Sequence, residues 1–260
     1  MKILLISGHG DGDPGASSKF GVEATETVVM VQKIKETLEN YAQVDLYPTN
    51  RNAFKDLGNG CCQVNFGNYD YVLEVHFNSC VNDLAGNGKT TGTEIYVTTA
   101  ERTVGVETKI VEKIAVLGLK NRGVKRENWR VIARAKASGT SSALLEVCFI
   151  DDKDDMQIYT AKKDKIAAAI ATAIAEQFGL KKNGNNGNQG NKGITVGSTV
   201  TIKDGAVYGG LSSARGKAVP TTQRGGKRHT VDKIQVNNGV QEARLKEIKS
   251  WVAVSSLQAV

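Results

Sequence analysis

The sequence predicts an α/β protein, an open and mostly parallel sheet with helices on both faces, followed by a small all-β domain. Three observations carry this. Apolar runs of strand length alternate with segments of helical periodicity through the first part of the chain, the pattern of a sheet covered by helices. The tract KKNGNNGNQGNKG, Lys181 to Gly193, has no apolar residue to bury and reads as a linker. After it come only short β-like runs separated by Gly-rich turns. The expected organisation is therefore a domain at 1–180, a linker at 181–193 and a second domain at 194–260.

Taken in order, Lys2–Ser7 is an apolar run and the first strand. From Glu23 to Asn40, Val28, Val31, Ile34 and Leu38 recur at three and four residues, which predicts an amphipathic helix. Val44–Tyr47 follows as a strand, and Tyr71–His76 and Leu144–Ile150 read as central strands. Glu94–Thr98 is a shorter strand, Val104–Leu117 a helix, and Asp164–Phe178 an Ala/Ile-rich helix that closes the domain. Asn50–Tyr69 reads as irregular. Beyond the linker, Ser198–Ile202, His229–Val236 and Ser250–Val254 are the β-like runs, with turns at Gly209-Gly210 and Gly225-Gly226; a small barrel is expected.

Composition narrows the function classes. Hydrophobic residues make up 40% and charged residues 23%, ordinary for a globular chain that buries a core without disulfides. Cys61, Cys62, Cys80 and Cys148 form no C-x-x-C pair and no framework spacing, so reduced thiols are expected, with a redox pair at the vicinal Cys61-Cys62 as the alternative. The opening MKILLISGHG breaks at Gly8-His9-Gly10, too early for a secretory signal or a membrane span. Synthesis in a host cytoplasm, without a signal peptide and without membrane insertion, is the expectation. The net charge of +7 is unevenly placed: from Lys181 onward thirteen Lys or Arg face four Asp or Glu, while the residues before it sum to −2. A basic second domain attracts polyanions, either nucleic acid or anionic wall polymers.

Histidine is scarce, with only His9, His76 and His229 in the chain. His9 and His76 each fall at the C-terminal end of an expected strand, the edge at which open α/β sheets bind ligands. A catalytic zinc site takes three N/O protein ligands and keeps one position open. Two imidazoles therefore need one carboxylate, and Glu23 and Glu26, in the first turn of the helix after the first strand, both qualify. Glu146 lies inside the apolar run Ala143–Ile150, where a lone carboxylate is costly to bury unless it faces a polar site. It is the candidate to carry a proton. Gly10-Asp11-Gly12-Asp13-Pro14-Gly15 matches the dinucleotide fingerprint, but two Asp would oppose a pyrophosphate and Pro14 removes a backbone N–H from the cradle.

The segment Gly8-His9-Gly10-Asp11-Gly12-Asp13-Pro14-Gly15-Ala16 resembles the opening motif of the zinc-dependent N-acetylmuramoyl-L-alanine amidases of phage endolysins and bacterial autolysins. Gly21-Val22-Glu23, Glu74-Val75-His76-Phe77-Asn78, Asn121-Arg122-Gly123-Val124-Lys125 and Leu145–Ile150 continue the match in the family's order. The resemblance implies zinc on His9, Glu23 and His76, choosing Glu23 over Glu26. It also implies hydrolysis of the amide between the lactyl group of N-acetylmuramic acid and L-alanine, with Glu146 shuttling the proton. Two departures stand out: Glu74, where a small residue is usual, and Asn50–Tyr69 in place of an Arg-containing helix. The tail resembles SH3-like wall-binding modules, with Tyr208 and Trp251 as contact aromatics and Trp251 equally eligible for the barrel core; Asn78 is a further candidate for substrate contact. The expected partners are peptidoglycan and the anionic polymers of a Gram-positive wall rather than nucleic acid, and the expected state is a monomer acting as a phage endolysin. A wall carboxypeptidase using the same metal logic, and a non-catalytic wall binder, are the competing readings.

Overall fold

The structure, a computed structural model, describes residues 1–182, 194–237 and 240–260. It divides into two compact units, Met1–Gly184 and Asn185–Val260. Most of the expected linker, residues 183–193, lies outside the described residues.

The first unit runs β1 (Lys2–Ser7), a hairpin of β2 (Ser17–Ser18) and β3 (Gly21–Val22), α1 (Glu23–Leu38), β4 (Gln43–Leu46), α2 (Ala53–Gly58) and β5 (Tyr71–Asn78). It continues through β6 (Thr93–Val97), α3 (Gly105–Ala115), β7 (Asn121–Arg126), α4 (Arg130–Ala137), β8 (Ser141–Phe149) and α5 (Lys153–Gln177). The sheet has six strands in the order β4-β1-β5-β8-β6-β7. All neighbours are parallel except β6 and β8, so the expected mostly parallel sheet is found. Alternation along the strands sends side chains to two faces. Ile3, Leu5, Leu73, Val75 and Leu145 pack with α1, α3 and α5 in the main core. Leu4, Ile6 and Val72 pack on the opposite face under α2 and α4, with Tyr47 and Phe66. That second cover is short, and the functional side chains occupy the face it leaves open.

Several elements differ from expectation. β4 starts and ends one residue earlier than Val44–Tyr47. The stretch taken as irregular contains α2, whose first turn is capped by Asn52 accepting from the Lys55 N–H at 3.1 Å. α4 was not anticipated, and Asn121–Arg126 is an edge strand. The last helix begins at Lys153 rather than Asp164; Asp152 caps it through the Asp154 and Asp155 N–H groups. Lys162 breaks its geometry (φ −127°, ψ 16°), so the apolar periodicity belongs to its second half.

The second unit is all-β: β9 (Thr199–Ile202), β10 (Arg228–Asn237), β11 (Val240–Leu245), β12 (Ser250–Ala253) and β13 (Leu257–Ala259). They form one antiparallel sheet in the order β12-β11-β10-β9-β13 around Val200, Val231, Ala243 and Val252. β11 and β13 are additions to the three expected runs. Among the described residues no helix is long and apolar enough to cross a membrane.

Candidate metal centre

β1 ends at Ser7 and the chain turns sharply. His9, Gly10, Asp11 and Gly12 all have positive φ (63°, 96°, 50° and 79°), and for His9 and Asp11 this is a strained conformation of the kind found at functional sites. Two glycines make room for the ligands. A Cβ on Gly8 would stand 2.3 Å from the His76 ring, and one on Gly15 would stand 2.6 Å from Glu23 Oε2. The β2–β3 hairpin then carries the chain back, so that Glu23, the first residue of α1, lies beside His9. Backbone N–H groups of Ala16 and Phe77 donate to its carboxylate at 2.8 and 3.0 Å.

Strand register supplies the rest. His76 on β5 pairs with Glu146 on β8, and Glu146 pairs with Glu94 on β6. Residues opposite one another on adjacent strands share a face, so these three side chains form a row across the sheet. His76 Nδ1 and His9 Nε2 lie 3.0 and 3.1 Å from Glu23 Oε1, with the two rings edge to face at 4.9 Å. The outer nitrogens are also faced by carboxylates: His9 Nδ1 is 3.0 Å from Asp13 Oδ2, and His76 Nε2 is 3.3 Å from Glu74 Oε1. Asp13 is in turn held by Asn52 Nδ2 at 3.1 Å. A ligating histidine oriented by a carboxylate on its other nitrogen is the usual supporting arrangement of metal sites. Glu74, a departure at the level of sequence, has that place at His76.

The electrostatics match. Burial penalises the Glu23 carboxylate, but hydrogen bonds from His76 and His9 outweigh it and hold its pKa well below the ordinary range. The bond to Glu23 raises His9 against burial, and Asp13 adds to it. Burial opposes charge on His76, yet Glu23 and Glu74 raise it well above its usual value. Burial pushes Glu146 up to about 7, with His76 opposing and the neighbouring carboxylates reinforcing the rise. So many carboxylates around two imidazoles create a negative site that favours a cation.

The donor set fits a metal ion. One ligand atom from each of His9, Glu23 and His76 lies within 4.8 Å of the others. Buried Glu146 Oε2 has no hydrogen-bond partner among the described residues, which suits a group that exchanges protons with a substrate. The centre opens on a cleft of about 350 Å³ lined by Phe54, Asn78, Trp129 and Arg130 as well. A second acidic group, Asp83, Asp152 and Asp154, also meets the spacing for a metal. Both Asp152 oxygens, Asp83 Oδ1 and Asp154 Oδ2, however, accept from N–H groups of Gly86, Asn87, Gly88, Thr91, Asp154 and Asp155, which fasten a loop to the start of α5, while buried Asp83 Oδ2 has no hydrogen-bond partner among the described residues.

Of the expected site residues, His9, Glu23, His76 and Glu146 come together. Glu26 does not: it accepts from Tyr159 Oη and Lys163 Nζ, both at 2.7 Å, on the side of α5. Asn78 lines the cleft but donates to Glu94 at 2.9 Å. Tyr208 and Trp251 lie in the second unit, both half-buried; Tyr208 packs against the core, and the core residue on β12 is Val252 rather than Trp251. Sequence reasoning missed Glu94, 1% exposed, which gathers Arg122, Lys125, Tyr96 and Asn78 beside Glu146. Its position two residues before Tyr96 on a short apolar strand was the available signal. Cys61 and Cys62 are both free thiols.

Three comparisons with known proteins bear on this geometry. An uncharacterized protein of Clostridium perfringens is 30% identical over 185 residues, 68% of this chain and 52% of that protein. The sporulation-specific N-acetylmuramoyl-L-alanine amidase of Bacillus subtilis is 28% identical, covering 72% of this chain and 71% of its own. The crystal structure of an N-acetylmuramoyl-L-alanine amidase from Clostridium difficile 630 has the same fold, with a TM-score of 0.56 at 19% identity over 68% of this chain and 96% of that one. The chain spans about half the length of the curated Clostridium perfringens relatives it matches, 52% and 51%. Residues 3–176 match the model of the N-acetylmuramoyl-L-alanine amidase family, and the chain belongs to that family.

Proposed function

We propose that this protein hydrolyses the amide between the lactyl group of N-acetylmuramic acid and L-alanine in peptidoglycan, with zinc held by His9, Glu23 and His76. The observation that carries this is the register of β5 on β8, which sets Glu146 beside His76 in the lining of the cleft. Bound at these donors, zinc supplies Lewis-acid polarisation of the scissile carbonyl. Asp13 orients the His9 imidazole, so that its inner nitrogen faces Glu23, and the Glu74 carboxylate lies 3.3 Å from the outer nitrogen of His76. Glu146 Oε2 takes a proton from the attacking water and passes it to the alanine nitrogen as the C–N bond breaks, leaving a lactyl carboxylate and a free amine.

The second unit is proposed as an SH3-like module that holds the enzyme on anionic wall polymers of Gram-positive bacteria, with Tyr208 and Trp251 as contacts. Its support is the basic excess after Lys181, and tethering raises the local substrate concentration. The lytic role proposed for the pair is that of a phage endolysin. One experiment tests all three parts. Purified walls digested with the zinc-loaded full chain release peptides with new N-terminal L-alanine, and release is faster from walls that keep their anionic polymers. New C-terminal ends without free N-terminal alanine would instead identify a carboxypeptidase, and equal rates on stripped walls would remove the anchoring role. Cell suspensions that keep their turbidity while walls are digested would remove the lytic one.

A further inference from the structure

The cleft at the metal centre is crowded with acids, and Arg130 is the one Lys or Arg among the described residues that line it. It is the first residue of α4 and is exposed. Its guanidinium lies 3.8 Å from the centroid of the Phe54 ring, and its Nη1 donates to the Phe54 carbonyl at 3.2 Å. Phe54 itself is 50% exposed, unusual for a phenylalanine with no apolar cover. The ring and the carbonyl hold the guanidinium in place, but no carboxylate pairs with it among the described residues. Arg51, Arg122 and Lys125 nearby, and Lys136 on α4 itself, all have acidic partners.

Arg130 also lines a second and larger cavity, about 780 Å³, between α2 and α4. Leu57, Val64, Phe66 and Ala133 give it apolar walls. Arg134, one helical turn beyond Arg130, is exposed at the same groove and likewise has no acidic partner among the described residues. Like charges four residues apart on a helix repel. Two unpaired arginines so placed lower the stability of α4 unless an anion offsets them.

Resting on the amidase reading, we infer that the groove between α2 and α4 receives the peptide stem of the substrate, with Arg130 and Arg134 binding its carboxylates. The cleft and the groove adjoin at Arg130, so a stem whose first amide lies at the metal centre reaches the groove by passing that side chain. The rise from Arg130 to Arg134 is about 6 Å, the span of about two residues of extended peptide. A stem with acidic groups two residues apart therefore meets both guanidinium groups, and bidentate pairing on planar forks gives charge and orientation together.

The test uses the zinc-loaded full chain and two muramyl peptides that differ only in whether the stem carboxylate nearest the cleaved bond is free or a carboxamide. The wild type is expected to prefer the free carboxylate by roughly 10-fold in kcat/KM, the size of one charge-assisted contact. Arg130→Met raises KM for that substrate by a similar factor, leaves kcat nearly unchanged and erases the preference; Arg130→Lys keeps part of it. Arg134→Met raises KM only for stems long enough to carry the second acid. Circular dichroism establishes that the variants fold. Equal cleavage of both substrates by the wild type, or a preference that survives Arg130→Met, overturns the inference and leaves the amidase reading standing. Failure to cleave either substrate overturns that reading and this one with it.

Discussion

Glu146→Gln is expected to lower kcat by about 10³-fold while leaving the bound metal in place. General acid–base catalysis by one positioned side chain contributes roughly 10²–10⁴-fold, and Gln can neither take the proton from water nor return it to the leaving nitrogen. The substitution keeps the shape of the side chain. It removes no donor from the group formed by His9, Glu23 and His76, so metal content stays at the wild-type level. Stability should not fall. A carboxyl raised to about 7 in the fold is destabilising when ionised above that pH, whereas it costs nothing below its unfolded value. Replacing it with a neutral amide removes that cost, so the metal-free variant at pH 8 should melt at or above the wild-type temperature. Activity within 10-fold of wild type, with metal bound, would take the proton-carrying role away from Glu146.

Glu23→Gln should have the largest effect on metal binding, lowering affinity at least about 100-fold in competition with a chelator. The Glu23 carboxylate faces both imidazoles and two backbone N–H groups while only 3% exposed. An amide in its place must turn an NH₂ toward one of these donors. Each buried group left unpaired costs about 1–3 kcal/mol, so the melting temperature should drop as well. Asp13→Asn acts one layer out, through the tautomer and orientation of His9, and should cost roughly 10–100-fold in affinity. Glu26→Gln should leave affinity unchanged, because its carboxylate is occupied by Tyr159 and Lys163. A loss at Glu26 equal to that at Glu23 would mean that the helix start is placed differently around the metal.

Parts of this arrangement were legible in the sequence for physical reasons. His9 and His76 stand at strand ends in a chain with three histidines, and Glu146 interrupts an apolar run; such breaks in pattern mark polar sites inside cores. Residue pairing was not legible. Nothing in the order of residues states that β8 lies next to β5, or that His76 meets Glu146 and Glu146 meets Glu94. The cage around Glu94 follows from that register and from an antiparallel β6, so it was invisible until the strands were placed. α2 and α4, six and eight residues long, are too short for a helical period to emerge. β11 escaped because its sequence VQEARL hides an alternation: Glu242 is buried against the Gly210 and Leu211 N–H groups, and Arg244 pairs with Asp232.

These helices matter for the functional account because, with Tyr47 and Phe66, they cover the face of the sheet that carries His76 and Glu146. α2 contributes Phe54, α4 contributes Arg130, and the cap residue Asn52 holds the Asp13 carboxylate that orients His9. The segment with Asn52 and Phe54 therefore supports the candidate ligand His9 and also borders the cleft.

A metal ion among His9, Glu23 and His76 is open to direct observation by anomalous diffraction at the zinc edge, from crystals of the full chain grown with one equivalent of zinc. One strong peak is expected, bounded by His9 Nε2, a Glu23 carboxylate oxygen and His76 Nδ1, with Glu146 beside it. A peak at Asp83, Asp152 and Asp154 instead, or none at the two histidines, would contradict it.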